Sequence, residues 1–370
     1  MGDDKKNGLQ PAPNVVKQFG RRLLRWYSQH GRDLPWRRTR DPYHILVSEI
    51  MLQQTQVERV LRYYPRFLET FPHLRALAQA PLDLVLKMWE GMGYYARARN
   101  LHRAAQIICR DHGAQVPSEL EVLRGLPGVG YNTAAALACI AHGSSWPILD
   151  GNAIRVLCRV FLLQDNPRTA AQFRRLQNLA KSLLPEGRAG LFNQALMDLG
   201  ALICRPKNPR CAQCPLSSLC AGYASGAPAS LPRLTARSPR PHHHITAGII
   251  WQGERFLLAQ RRADGLLGGL WEFPGGRQEE GETLEQCLRR EIREELGIRI
   301  RVDGHFMSLK HAYSHFRFTL HAFHCTYLHG RPRTLGCAAY RWIQIPELRN
   351  YALARADQKL AAALEVRARR

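Results

Sequence analysis

Nowhere in the 370 residues does an apolar run reach the ~18 positions that a membrane-spanning helix needs, so none is expected. The opening stretch MGDDKKNGLQ has no apolar segment behind its charges, which argues against a secretory signal. Ten cysteines without such a signal point to reduced thiols or metal ligands rather than a disulfide framework. A cytoplasmic protein is therefore the expectation, nucleoid-associated if the source is prokaryotic. Internal repeats are also missing, which excludes a solenoid or propeller.

Acidic residues are in deficit: 30 Asp and Glu face 53 Lys and Arg, a net charge of +23. The excess is +14 before residue 230 and +9 after it, so it is not one cationic tail on a neutral protein. A polyanion is the natural partner, bound through phosphate neutralisation. Apolar residues at 45% suffice for buried cores, and the length predicts two domains.

Helical periodicity runs from 15 to 205, with helices expected over 15–28, 43–70, 82–89, 96–112, 132–142, 153–163 and 171–184. The stretch 223–241, rich in Pro, Ala, Ser and Arg, reads as a linker. Beyond it ITAGIIW and RFLLAQR flank Gly253 as a hairpin, FRFTLHAFHCTYL alternates as a strand, and one strong helix is expected over 284–296. The expected order is a tail (1–14), a helical domain (15–222), a linker (223–241) and an α+β domain (242–370).

Three patterns carry chemistry in the helical part. Cys204, Cys211, Cys214 and Cys220 can wrap one metal centre, and both zinc and a [4Fe–4S] cluster accept four cysteines. Arg205, Lys207 and Arg210 lie between them and suit a phosphate backbone. Leu126-Pro127-Gly128-Val129-Gly130 precedes a helix, where glycines allow close approach and free N–H groups face an anion. Glu49 follows a good helix start at Asp41-Pro42 and has Ile45, Leu46, Leu52 and Gln53 as face neighbours. A carboxyl on such a stripe should titrate high, unless an arginine pairs with it. Asp150 precedes Gly151 and Asn152 at a helix start, so it is a second carboxylate or an N-cap. Cleaving a glycosidic bond needs this division: one acid protonates the leaving group, and one carboxylate stabilises the oxocarbenium-like sugar.

The runs SEIMLQQTQV, GMGYYARARN, LPGVG, PILDGN and FNQALMDLGALIC, with the four cysteines, resemble the MutY-type adenine DNA glycosylases of the endonuclease III superfamily. The resemblance extends from about Val15 to the last strands. It implies an all-α helix-hairpin-helix glycosylase domain with a four-cysteine iron–sulfur loop, then an α+β Nudix-like domain. The substrate it implies is double-stranded DNA containing A:8-oxoguanine or A:G mispairs, bound by a monomer. Glu49 takes the proton-donor position and Asp150 the oxocarbenium-stabilising position, with Asn152 assisting. Arg37 and Gln194 match adenine contacts, Gln54 and Tyr94 match residues inserted into the duplex, and Gly128 and Gly130 hold a phosphate. The strand-cleaving branch has a lysine where this chain has Asn132, so a monofunctional enzyme using water is implied.

In the second half, Gly276-x5-Glu282-x7-Arg290-Glu291-Ile292-Arg293-Glu294-Glu295-Leu296-Gly297-Ile298 matches the Nudix box throughout. Glu291, Glu294 and Glu295 share a helical face and suit Mg²⁺ with phosphate co-ligands, or else form a solvated charged face. In the MutY-type family this domain serves to recognise 8-oxoguanine, and Tyr313-Ser314-His315 resembles the loop that does so. Two expectations follow: a scaffold that only reads the damaged base, or a domain that also hydrolyses 8-oxo-dGTP with Mg²⁺. A non-catalytic damage sensor would need neither Glu49 nor Asp150.

Overall fold

The computed structural model describes residues 10–234, 239–313 and 316–368. Packing divides the chain into two compact units, and the division is not linear. The described parts of 1–64 and 104–237 form one unit, and those of 65–103 and 238–370 form the other. No helix among the described residues is long and apolar enough to cross a membrane.

The first unit is helical. Its core joins Phe19 and Leu23 of the helix Pro13–His30 to Leu157, Leu179, Phe192 and Leu199 from Gly151–Val160, Ala170–Leu183 and Ala189–Leu202. The helix expected over 43–70 is two helices, Pro42–Leu52 and Val57–Thr70. Between them Gln54 takes a left-handed φ of 54°, which no right-handed helix accommodates. Asp41 caps the first of the pair, accepting from the amides of Tyr43 (2.8 Å) and His44 (3.2 Å), with Pro42 in the first turn. The expected linker is packed over part of its length. Leu231 is buried and its carbonyl accepts from Arg159 Nε at 3.0 Å, so that stretch is tied to the helical unit.

The second unit is built on a sheet of β1 (His242–Gln252), β2 (Arg255–Gln260), β3 (Trp271–Glu272), β4 (Arg299–Ala312), β5 (Arg317–His329) and β6 (Ala339–Ile343). The order is β3-β2-β1-β5-β4, with β6 also on β2. The expected hairpin closes at Gly253 (φ 62°), pairing Gln252 with Arg255. β1 and β5 run parallel, and the other pairs are antiparallel. One face packs Ile249, Phe256 and Phe318 on Leu360 and Leu364 of the helix Arg355–Ala368. The other packs Ile250, Leu257 and Phe323 on Leu288, Ile292 and Leu296 of the box helix Leu284–Leu296. Arg355–Ala368 has no counterpart among the expected elements, since alanines such as Ala356 and Ala361 make much of its buried stripe and weaken the periodic signal. Segment 65–103 joins this unit through Lys87 Nζ, which donates to the Tyr351 carbonyl (3.1 Å), and Glu90, which accepts from the Leu353 amide (3.0 Å).

Within the box loop Gly275 has φ 152°, and an added Cβ would overlap the Thr246 carbonyl. Gly275→Ala should therefore cost about 2–3 kcal/mol. The checking measurement is urea unfolding of the full chain, where the sheet transition should move to lower urea while the helical unit's stays put.

Candidate active site

The helix Pro42–Leu52 buries Ile45, Leu46, Val47, Ile50 and Met51, so it is apolar on nearly every side. Glu49 breaks that pattern at the edge of a cleft of about 380 Å³, a volume that suits a small-molecule-sized ligand. Arg37, Gln54, Asn132, Asp150, Asn152 and Gln194 line the same cleft. Seven residues singled out from sequence, drawn from five separate stretches, thus meet in one place.

Burial, and secondarily the Asp150 charge, push the Glu49 carboxyl up to about 7, with Arg37 opposing. An arginine partner is the competing expectation for Glu49, and Arg37 is that nearby arginine. Its guanidinium is committed elsewhere: Nη1 donates to Asp198 Oδ2 (2.7 Å) and Nη2 to Oδ1 (2.9 Å). Arg32 donates to the same carboxylate from Nε (2.8 Å), Nη2 (2.6 Å) and its backbone amide (2.9 Å). Burial works to raise the Asp198 carboxyl, but the bonds from Arg37 and Arg32 hold it below the usual range. Asp198 is fully buried and escapes the sequence reading, although it lies inside FNQALMDLGALIC four residues beyond Gln194. Tyr27, also not anticipated, donates its hydroxyl to Gln194 Oε1 (2.9 Å), which leaves the Gln194 NH₂ group to serve a ligand.

Asp150 sits in the cleft and also caps a helix. Its Oδ1 accepts from the Ala153 amide (2.7 Å) in the first turn of Gly151–Val160, while Oδ2 accepts from Asn152 Nδ2 (2.9 Å). The segment leading to it has no sheet partner, and two asparagines satisfy its backbone instead. Asn132 Nδ2 donates to the Leu149 carbonyl (2.8 Å), and its Oδ1 accepts from the Leu149 amide (2.9 Å). Asn193 donates to the Trp146 carbonyl (2.8 Å) and accepts from the Ile148 amide (3.1 Å). From Asp150 the bonds continue: Arg155 Nη2 donates to Asn152 Oδ1 (2.8 Å) and Arg155 Nε to the Cys204 carbonyl (2.7 Å). Gly200 makes room for this, since a Cβ there would stand 2.6 Å from that of Asn152.

Gly128 takes φ 76° and its carbonyl accepts from Gln53 Nε2 (3.0 Å), while Gly130 heads the helix Tyr131–Ile140 with open space in front of its Cα. That is the hairpin geometry expected of a backbone that a phosphate can approach. Only six described non-glycine residues have left-handed φ, and two are Gln54 and Tyr94, the duplex-insertion candidates. Strain of this kind concentrates at functional positions. In the second unit, Tyr94 is 46% exposed and its ring is backed by the Arg97 guanidinium at 5.5 Å.

Cys204, Cys211, Cys214 and Cys220, none in a disulfide, line one small pocket with Arg159. Buried Arg159 donates to Cys204 Sγ (3.3 Å) and to the Arg205 and Pro206 carbonyls (2.7 and 3.0 Å), which organises the loop around the thiols. In the box helix, Arg290 bonds Glu282 (2.6 Å), Glu291 (3.0 Å) and Glu294 (3.3 Å), and burial pushes the Glu295 carboxyl up to about 8. Among the described residues no three His, Cys, Asp or Glu side chains are grouped to hold a single ion. Tyr313 packs against Phe316 and Phe318 (5.3 and 5.4 Å), while Ser314 and His315 lie outside the described residues.

A hairpin between helices, beside a cleft holding two carboxyl groups, defines a DNA glycosylase of the helix-hairpin-helix class. Residues 47–182 match the HhH-GPD superfamily of base excision DNA repair proteins, and 246–363 match the NUDIX domain. A thermostable thymine-DNA glycosylase structure is similar to the helical part, at 34% identity and a TM-score of 0.54 over 57% of this chain and 98% of that one. A trapped endonuclease III–DNA intermediate, 19% identical with a TM-score of 0.51 over 58% of this chain and 99% of that one, shares the fold. The human adenine DNA glycosylase is 34% identical over 93% of this chain and 73% of its own length. That of Schizosaccharomyces pombe is 31% identical over 96% and 91%. The chain belongs to the adenine DNA glycosylase family, and its substrate is DNA.

Because Glu49 titrates at about 7, single-turnover adenine release that depends on its acid form should fall about tenfold per pH unit above that value. Asp198→Asn releases Arg37 to pair with Glu49, which favours the carboxylate. The alkaline limb of the rate profile should then move to lower pH, and stability should drop by about 3 kcal/mol as a buried cation loses its partner.

Proposed function

We propose that this cleft hydrolyses the N-glycosidic bond of adenine mispaired with 8-oxoguanine or guanine, with Glu49 as acid and Asp150 as the stabilising carboxylate. The observation that carries this reading is the pair itself. One cleft holds a carboxyl group still partly protonated at neutrality and a second one fixed by an amide and an asparagine. Adenine is a poor leaving group until a ring nitrogen is protonated. Glu49 delivers that proton, the C1′–N bond breaks with its electron pair going to the base, and the sugar becomes an oxocarbenium ion. Asp150, in the same cleft, stabilises that cation by its negative charge or traps it covalently, and water then completes the hydrolysis. Gln194, held by Tyr27, and Arg37 orient the base.

Asn132 supports a monofunctional course. Both ends of its amide are used on Leu149, and an amide cannot form a Schiff base with the sugar. The four cysteines fit a [4Fe–4S] cluster: four free thiols line one small pocket, in a loop that Arg159 already braces. When bound, the cluster would supply a rigid cross-link that holds Arg205, Lys207 and Arg210 toward a phosphate backbone. Tyr313-Ser314-His315 is the segment assigned to the oxidised base, with Ser314 the direct contact.

Glu49→Gln should lower adenine release by about 10²–10⁴-fold while leaving affinity for the mispaired duplex within a fewfold of wild type. A single-turnover assay beside a binding titration checks this, and an unchanged rate would remove Glu49 from the mechanism. Borohydride should trap no covalent adduct with the wild-type chain. Ser314→Ala should narrow the rate difference between A:8-oxoguanine and A:G duplexes.

A further inference from the structure

Side chains alternate across a strand, so the register of β1, β5 and β4 fixes which residues share a face. His242 and His244 on β1 lie level with Arg317 and Thr319 on β5, and His321 follows. On β4, Lys310 pairs with Thr319, Ser308 with His321, and His305 with Phe323. Further along, this face is covered by the box helix, but here it is open. His242, His244, His305, Ser308, Lys310 and Arg317 are exposed, and His321 is half-buried.

The histidines are joined. His242 bonds Thr319 Oγ1 at 3.0 Å and stacks on His244 at 5.3 Å. His244 Nδ1 and His321 Nε2 are hydrogen-bonded at 3.0 Å, His321 Nδ1 bonds Ser308 Oγ at 2.8 Å, and Ser308 Oγ bonds His305 Nε2 at 2.8 Å. The register places two cations, Lys310 and Arg317, on the same face, and the Gln278 amide donates to the His244 carbonyl at its edge (3.0 Å). His321 is held below the usual range by burial, and by His244 and His305.

We propose that this open face of β1, β5 and β4 is a contact surface for the sugar–phosphate backbone of the duplex. This extends the proposed function, on which it rests for the identity of the duplex. Three features fit a phosphate strand. The face carries ring N–H, hydroxyl and cationic donors without a carboxylate among the bonded groups, and the i, i+2 repeat along each strand sets donors about 7 Å apart. Imidazole side chains can also take up protons when an anion is laid against them, which an array of lysines cannot do near neutrality. The contact reads no base, so it acts alike on every mispair.

The test uses the full chain carrying Glu49→Gln, so that substrate stays intact and Glu49 does not titrate. Anisotropy titrations with A:8-oxoguanine and A:G duplexes run from pH 8 to pH 6 at fixed ionic strength. Affinity should rise as pH falls, by up to about tenfold per pH unit for each proton taken up. His244→Gln with His321→Gln should flatten that dependence and weaken binding at pH 6 by the same factor on both duplexes. Lys310→Gln with Arg317→Gln, both exposed and safe for folding, should reduce the slope of log affinity against log salt by about 2. Unchanged pH dependence and salt slope in the two pairs would overturn the proposal. Equal affinity of the unsubstituted face for these duplexes and for a matched A:T duplex, with the histidine effect intact, would instead overturn the mispair assignment.

Discussion

A buried carboxylate that two arginines saturate sets the terms for everything in the cleft. Asp198 has no solvent to stabilise its charge, and Arg32 and Arg37 surround it with five donors. Arg37 lies close enough to Glu49 to be felt, yet two of its donor bonds hold it to Asp198. A direct ion pair would hold Glu49 ionised. Burial therefore wins at Glu49 and holds its carboxyl up at about 7.

The second constraint is that Asp150 must be held at the end of a segment with no regular structure. Backbone groups in such a segment need partners when buried. Asn132 and Asn193, from two different helices, supply them over residues 146–149. Asn152 and Arg155 then extend the same network to the carbonyl of Cys204. The position of Asp150 is thus shared between the hairpin helix, the helix Ala189–Leu202 and the cysteine loop. Asn132, whose importance in sequence is the absence of a lysine, turns out to be a structural tie.

The second unit uses different physics. Its sheet is covered on both faces over part of its length by two helices, and the uncovered remainder carries the histidine array. Arg290 gathers Glu282, Glu291 and Glu294, so the box carboxylates are organised first of all by an internal cation. Inclusion of segment 65–103, with its exposed Tyr94, in this unit shows that a contiguous stretch of sequence need not follow its neighbours in packing.

Much of this was legible in the residues alone. Fold class, the hairpin at Gly253 and the cap at Asp41 follow from local rules, since periodicity, capping and turn chemistry operate over a few residues; Glu49 and Asp150 stand out by their sequence surroundings, and Arg37, Gln54, Asn152 and Gln194 come from the resemblance to the family that the motif runs carry. Tertiary structure alone decided the rest. That Asp198 takes Arg37 away from Glu49, that Asn132 and Asn193 hold residues 146–149, and that the histidines of three strands join on one face all depend on residues distant in sequence. The helix break at Gln54 and the alanine-lined helix Arg355–Ala368 were hidden for a related reason: packing stabilised what local propensity did not announce. Residue types could single out Glu49, Asp150 and four cysteines; how deeply Glu49 is buried, and which charges lie near it, is set by three-dimensional packing, and that is what raises its carboxyl.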